Sequence, residues 1–201
     1  MRLTYRATGE PRSIAILAGA FNPPTVAHLA LAQAALDVVD EVLLAIPRSF
    51  PHKQFEGATL DQRLQMLEHV ARAQSKLSVG VADGGLFAEI AREAKLHYSG
   101  VDVFLLCGRD AAERILTWDY GEEDFVDRML REFRLLVAPR YGQYVAPARF
   151  AHAVHCLSPG DYDLCSSTRL REAIRENREW ASMAPSAIVE MIREIYGSQG
   201  R

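Results

Sequence analysis

Ile14-Ala15-Ile16-Leu17-Ala18 runs directly into Gly19-Ala20-Phe21-Asn22-Pro23-Pro24-Thr25-Val26-Ala27-His28-Leu29, and the reading of this stretch decides the fold. The first five residues form a short apolar run between Pro11 and Gly19, the pattern of a buried strand. The alanine-rich, apolar-periodic run beyond the prolines suits a helix over Thr25–Val38. A helix that starts beside the carboxyl end of a strand presents unpaired backbone N–H groups and a positive dipole end, both suited to an anion. Thr25 and His28, three residues apart, share one face of its first turn.

Outward from this stretch, strand-like and helix-like runs alternate. Further strands are expected at Val42–Ile46, Leu77–Val81, Val101–Cys107, Phe133–Ala138 and Val154–Leu157. Further helices are expected at Leu60–Gln74, Leu86–Lys95, Ala111–Leu116, Thr168–Arg175 and Pro185–Tyr196. Such alternation implies an α/β fold with a mainly parallel sheet, right-handed crossovers and helices on both faces, in the doubly wound, Rossmann-like manner. Ligands of such folds sit beyond the carboxyl ends of the strands. The chemically distinctive residues follow predicted strand ends: Gly19 to His28, Pro51 to Lys53, Gly108 to Asp110, and Arg140.

Length and composition bound the rest. With 201 residues, 49% of them hydrophobic, the chain fits one domain spanning 1–201, with 197–201 as a loose tail. A formal charge of −3 gives no basic surplus for wrapping nucleic acid, so local cations would meet a small anionic ligand. Cys107, Cys156 and Cys165 are odd in number and lack C-x-x-C spacing, which favours reduced thiols over a disulfide framework or zinc site. Met1 to Pro11 carries Arg2, Arg6 and Glu10 without an apolar core, and no apolar run reaches the ~18 residues of a membrane span. The expectation is a soluble, cytoplasmic protein that binds neither membrane nor nucleic acid.

The order Gly19-x-Phe21-x-Pro23-x-Thr25-x-x-His28 resembles the (H/T)-x-G-H signature of the nucleotidyltransferase superfamily, which lies between the first strand and first helix of that fold. Thr25 stands where the commonest form has its first histidine, an accepted variant, and Ala27 replaces a glycine. Near the other end, Cys165-Ser166-Ser167-Thr168-Arg169-Leu170-Arg171 resembles the superfamily's I-S-S-T-x-(I/V)-R motif. Taken alone, Ser-Ser-Thr before a helix is an N-cap. In the family the segment holds triphosphate, which implies that role for Ser166, Ser167, Thr168 and Arg171, with Arg169 at a solvated variable position. Pro51-His52-Lys53 resembles a turn that aims its lysine at phosphate, and Gly108-Arg109-Asp110 a G-x-D in which the glycine admits close approach and the aspartate holds a ribose.

The resemblance implies His28, Lys53 and Arg171 as catalytic residues. It further implies Gly19, Ala20, Phe21, Asn22, Thr25, Gly108, Asp110 and the three hydroxyl residues as nucleotide-binding. Trp118 sits where nicotinate-mononucleotide adenylyltransferases place a tryptophan near the pyridine ring, but a core-packed aromatic reads equally well; Arg140, in Pro139-Arg140-Tyr141-Gly142, joins it on the acceptor side. His69 and His97 lie on helical runs without a ligand-spaced partner, His152 and His155 have three-residue spacing on a segment read as strand, and no metal site is assigned. Magnesium would arrive on ATP with mostly water ligands. Gly121–Glu132 reads as a lid or insertion with a solvated acidic start, and Ile188, Met191, Ile192 and Ile195 as a core-facing stripe.

The implied reaction is transfer of the adenylyl group of ATP to a pyridine mononucleotide, nicotinate mononucleotide before nicotinamide mononucleotide, with release of pyrophosphate, as in NAD biosynthesis. Another phosphorylated acceptor such as phosphopantetheine is the alternative, and so is a non-catalytic nucleotide sensor of the same fold. A homodimer is a family-level expectation.

Overall fold

The computed structural model describes residues 1–48, 57–139, 144–158 and 165–197. Seven strands form one sheet: β1 (Arg2–Tyr5), β2 (Ser13–Ala18), β3 (Glu41–Pro47), β4 (Leu77–Ala82), β5 (Asp102–Cys107), β6 (Arg134–Val137) and β7 (Val154–Cys156). Their order is β1-β4-β3-β2-β5-β6-β7, and every pairing is parallel except that of β1 with β4. From the central β2, the chain winds outward first through β3 and β4, then returns to the far side through β5, β6 and β7.

The helices are α1 (Val26–Leu36), α2 (Leu60–Arg72), α3 (Phe87–Lys95), α4 (Arg109–Thr117), α5 (Phe125–Glu132), α6 (Ser167–Arg175) and α7 (Val189–Gly197). Strand residues alternate between two cores. Ala15, Leu17, Leu44, Val79 and Leu106 pack against α1, α2, α6 and α7, whereas Ile14, Ile16, Leu43, Leu105 and Val137 pack against α3, α4 and α5. Two covered faces explain why the inner strands read as unbroken apolar runs.

The structure departs from the sequence expectations in four places. β1 was not foreseen because four residues with Arg2 at their head carry little periodicity; it pairs antiparallel along the β4 edge. Gly121–Glu132, read as a lid or an insertion, forms α5 after its acidic start, and Val126, Met129 and Leu130 of that helix enter the core. Three of its acidic residues are paired, Glu122 with Arg128 and both Asp124 and Asp127 with Arg149. His152 lies in a short 3-10 helix, Ala148–Ala153, and not on a strand. A similar 3-10 turn, Ser186–Ile188, opens the segment expected to be helical from Pro185.

Beneath the opposite, amino-terminal end of the strands, the Glu41 carboxylate is 3% exposed and accepts from Ser78 Oγ at 2.6 Å and from the Tyr98 hydroxyl. Ser78 Oγ in turn accepts from the Ala7 N–H at 2.8 Å. A buried carboxylate needs such donors, and here they tie the segment after β1 to β3 and β4.

Candidate active site

The direction of winding reverses between β2 and β5, and the residues beyond the carboxyl ends of these two strands are Gly19 and Gly108. A Cβ on Gly19 would make only ordinary contact with the Phe21 ring, at 3.4 Å, and one on Gly108 would reach only the Ala138 carbonyl at 4.0 Å. Packing within the chain therefore demands glycine at neither position. What two glycines achieve is open space at the reversal point, where ligands of doubly wound sheets bind.

The turn from β2 into α1 is tightly specified. Phe21 takes a left-handed backbone (φ 47°), the Asn22–Pro23 peptide is cis, and Thr25 is the N-cap of α1. The Thr25 backbone N–H donates to His28 Nδ1 at 3.0 Å, and Thr25 Oγ1 lies 2.8 Å from the same nitrogen. His28 thus stands where a capping box ordinarily has Glu or Gln. Because Nδ1 accepts this backbone hydrogen bond, the neutral imidazole carries its proton on Nε2. The Phe21 ring lies 4.9 Å from the imidazole, centroid to centroid, and holds its tilt.

The two motifs read at opposite ends of the sequence touch. Ser167 Oγ donates to the Pro23 carbonyl at 2.8 Å, and Arg171 Nη1 donates to the Asn22 carbonyl at 2.5 Å. Ser166 is the N-cap of α6, its Oγ accepting from the Arg169 N–H at 3.2 Å, so the capping role foreseen for this segment is real for that residue. Thr168, in the first turn, is exposed, and Arg171 is partly buried. Of the three hydroxyls expected to meet phosphate, one caps the helix and one latches the helix to the first motif.

Asn22 belongs to the same scaffold. Its side chain is 4% exposed, and Oδ1 accepts from the Ala58 N–H at 3.3 Å and from the Tyr196 hydroxyl at 2.5 Å. Ala20 offers its carbonyl to Arg63 Nη1 at 2.9 Å. Burial holds the Arg63 guanidinium below its ordinary pKa and pushes the Tyr196 phenol above its own. Sequence reasoning missed both residues. Arg63 left a trace, a cation between Leu60 and Leu67 on the apolar stripe of α2, whereas Tyr196 merely continues the stripe of α7.

On the β5 side, Gly108 caps α4 and Asp110 sits exposed in its first turn, where a carboxylate also complements the helix dipole. Trp118 follows the helix and is 61% exposed, so it is not a core-packed aromatic. Together with Asp119, Tyr120, Glu122, Arg149 and Phe150 it lines an open cavity of about 510 Å³. Tyr120 stacks on Phe125 at 4.4 Å, which joins the floor of this cavity to α5. Lys53 and Arg140, with the P-H-K turn and Tyr141-Gly142, lie outside the described residues. Among the described residues no cluster of three or more His, Cys, Asp or Glu is placed to hold a metal, and no helix is long and apolar enough to cross a membrane.

A doubly wound sheet with a helix-capping histidine at its reversal point defines an α/β protein with a candidate ligand site beyond β2 and β5. Comparison with known proteins narrows the class: the cytidylyltransferase-like family model matches residues 16–173, and the chain belongs to that family of nucleotidyltransferases. A relative from Geobacter sulfurreducens, named "Probable nicotinate-nucleotide adenylyltransferase", is 27% identical over 92% of this chain and 98% of its own length. One of the same name from Gemmatimonas aurantiaca is 27% identical over 89% of both chains. Among solved structures, the nicotinic acid mononucleotide adenylyltransferase of Plasmodium falciparum complexed with NaAD superposes with a TM-score of 0.66 at 16% identity, over 91% of this chain and 95% of that one. That likeness is one of fold.

Proposed function

We propose that this enzyme transfers the adenylyl group of ATP to nicotinate mononucleotide, forming the dinucleotide and pyrophosphate. The observation that carries the reading is the pair of bonds from Ser167 and Arg171 to the Pro23 and Asn22 carbonyls, which joins both motifs at the reversal point of the sheet. Relatives named for this activity, matched over nearly their whole length, support the choice of acceptor.

In this reaction a phosphate oxygen of the mononucleotide attacks the α-phosphorus in line, and the bond to the bridging oxygen breaks as pyrophosphate leaves. The attacking oxygen is already ionised near neutral pH, so the protein contributes position and stabilisation of charge more than a base. His28 donates its Nε2–H to an α-phosphate oxygen as negative charge gathers there, and its tautomer is set in advance by the Thr25 N–H. Arg171 and Lys53 offset charge on the α-phosphate and departing pyrophosphate, the first as a planar fork and the second as a point charge. The amino terminus of α6, with Thr168, adds N–H donors for the triphosphate. Gly19 and Gly108 leave room for the nucleotide, Asp110 meets its ribose, and magnesium enters as part of the substrate. Trp118 stacks on the pyridine ring, with Arg140 on the same side.

Pyrophosphate release from ATP, measured in parallel with nicotinate mononucleotide, nicotinamide mononucleotide and phosphopantetheine, tests the reading. Fastest release with nicotinate mononucleotide is expected. Release only with phosphopantetheine would overturn the acceptor, and no release with any of the three would overturn the reaction.

A further inference from the structure

Tyr196 stands where three segments of the phosphate site meet. Its hydroxyl donates to Asn22 Oδ1 at 2.5 Å, and the same oxygen accepts from the N–H of Ala58. Asn22 offers its backbone carbonyl to Arg171. Gly57, at φ +107°, makes room for the junction: a Cβ there would come within 3.0 Å of the Tyr196 ring and 3.1 Å of Asn22 Oδ1. Gly57 and Ala58 lead into the capped start of α2, where Arg63 holds the Ala20 carbonyl. Arg63 and Arg171 both lie within electrostatic range of the phenol.

We propose that Tyr196 is a positioning residue for adenylyl transfer, fixing Asn22 and through it the Arg171 guanidinium. The proposal rests on the function inferred above. Filling the space between α7 and the sheet requires only the ring; a buried hydroxyl adds a desolvation cost and brings a directional bond in return. That bond ends on the residue whose backbone oxygen orients Arg171. A cation meant for charge that develops in the transition state is effective only when held in place before the reaction.

Tyr196→Phe separates the two roles, since it keeps the ring and removes the bond. With ATP and nicotinate mononucleotide, well below the melting temperature, the variant should lose about tenfold in kcat, and its KM for ATP should rise several-fold while the KM for the mononucleotide stays within about twofold. Ile192→Val shortens a fully buried side chain in the same helix. It should lower Tm while leaving the kinetic constants at wild-type values. Wild-type kcat and ATP KM in Tyr196→Phe would overturn the proposal, as would equal kinetic losses in the two variants. Should wild-type protein turn over neither pyridine mononucleotide, the functional reading falls by itself. Calorimetric binding of ATP to wild type and Tyr196→Phe then decides the positioning role, several-fold weaker binding supporting it and equal binding overturning it.

Discussion

The two sides of the site are built differently. On the phosphate side Thr25 is fully buried and Asn22 nearly so, and hydrogen bonds from Ser167, Arg171, Arg63 and Tyr196 converge on the turn after β2. On the proposed acceptor side Trp118 is largely exposed, and most of the nearby ion pairs lie between exposed side chains, where each is worth about 0–1 kcal/mol. Stabilising charge in a transition state requires groups that need not reorganise. Recognising a ring requires only an aromatic face that the ligand covers as it binds. The two sides should therefore respond differently to substitution, with kcat sensitive on the first and acceptor KM on the second.

The sharpest way to break this contrast is His28→Ala, which should lower kcat by ~10²-fold or more while the fold stays intact, the lost cap bond to the Thr25 N–H lowering Tm by a few degrees. Turnover near wild type would remove the imidazole from the mechanism. Arg171→Ala comes next: a loss of about 30-fold in kcat/KM for ATP is expected from removing a charged hydrogen-bond donor. A melting curve that shifts while kinetics stay constant would make that arginine merely structural. Trp118→Ala, on the open side, should raise the mononucleotide KM about tenfold and leave the ATP KM alone, since an aromatic stack contributes about 0.5–1.5 kcal/mol. Equal changes in both constants would erase the division.

The smallest expected effect concerns the floor beneath Gly108. Burial pushes the Cys107 thiol up to about 12 from an ordinary value of 9.0. Between these values the folded chain keeps a proton that the unfolded chain has lost, so the stabilisation present below pH 9.0 is lost as pH rises toward 12. Denaturant titrations at pH 8 and pH 10 should show wild type losing about 1 kcal/mol more than Cys107→Ala. Identical losses would mean that water reaches this thiol.

The sheet and its helices were legible because two covered faces leave unbroken apolar runs in β3 and β5 and because turn residues flank them. β1 was illegible because its pairing depends on an edge made elsewhere in the chain. The strand-turn-helix arrangement around His28 could be read because its signals are local in the chain. The division of labour among Ser166, Ser167 and Asn22 was hidden, since it depends on contacts spanning more than a hundred residues: Ser167 to Pro23, Asn22 to Tyr196. Trp118 was ambiguous because exposure, which separates a ring platform from a core aromatic, is a tertiary property.

The most direct test of adenylyl transfer follows the phosphorus atoms. With nicotinate mononucleotide as acceptor and ATP labelled at either the α or the γ position, the α label should appear in the dinucleotide and the γ label in pyrophosphate. An α label retained in ADP, or a γ label transferred to the acceptor, would contradict the account.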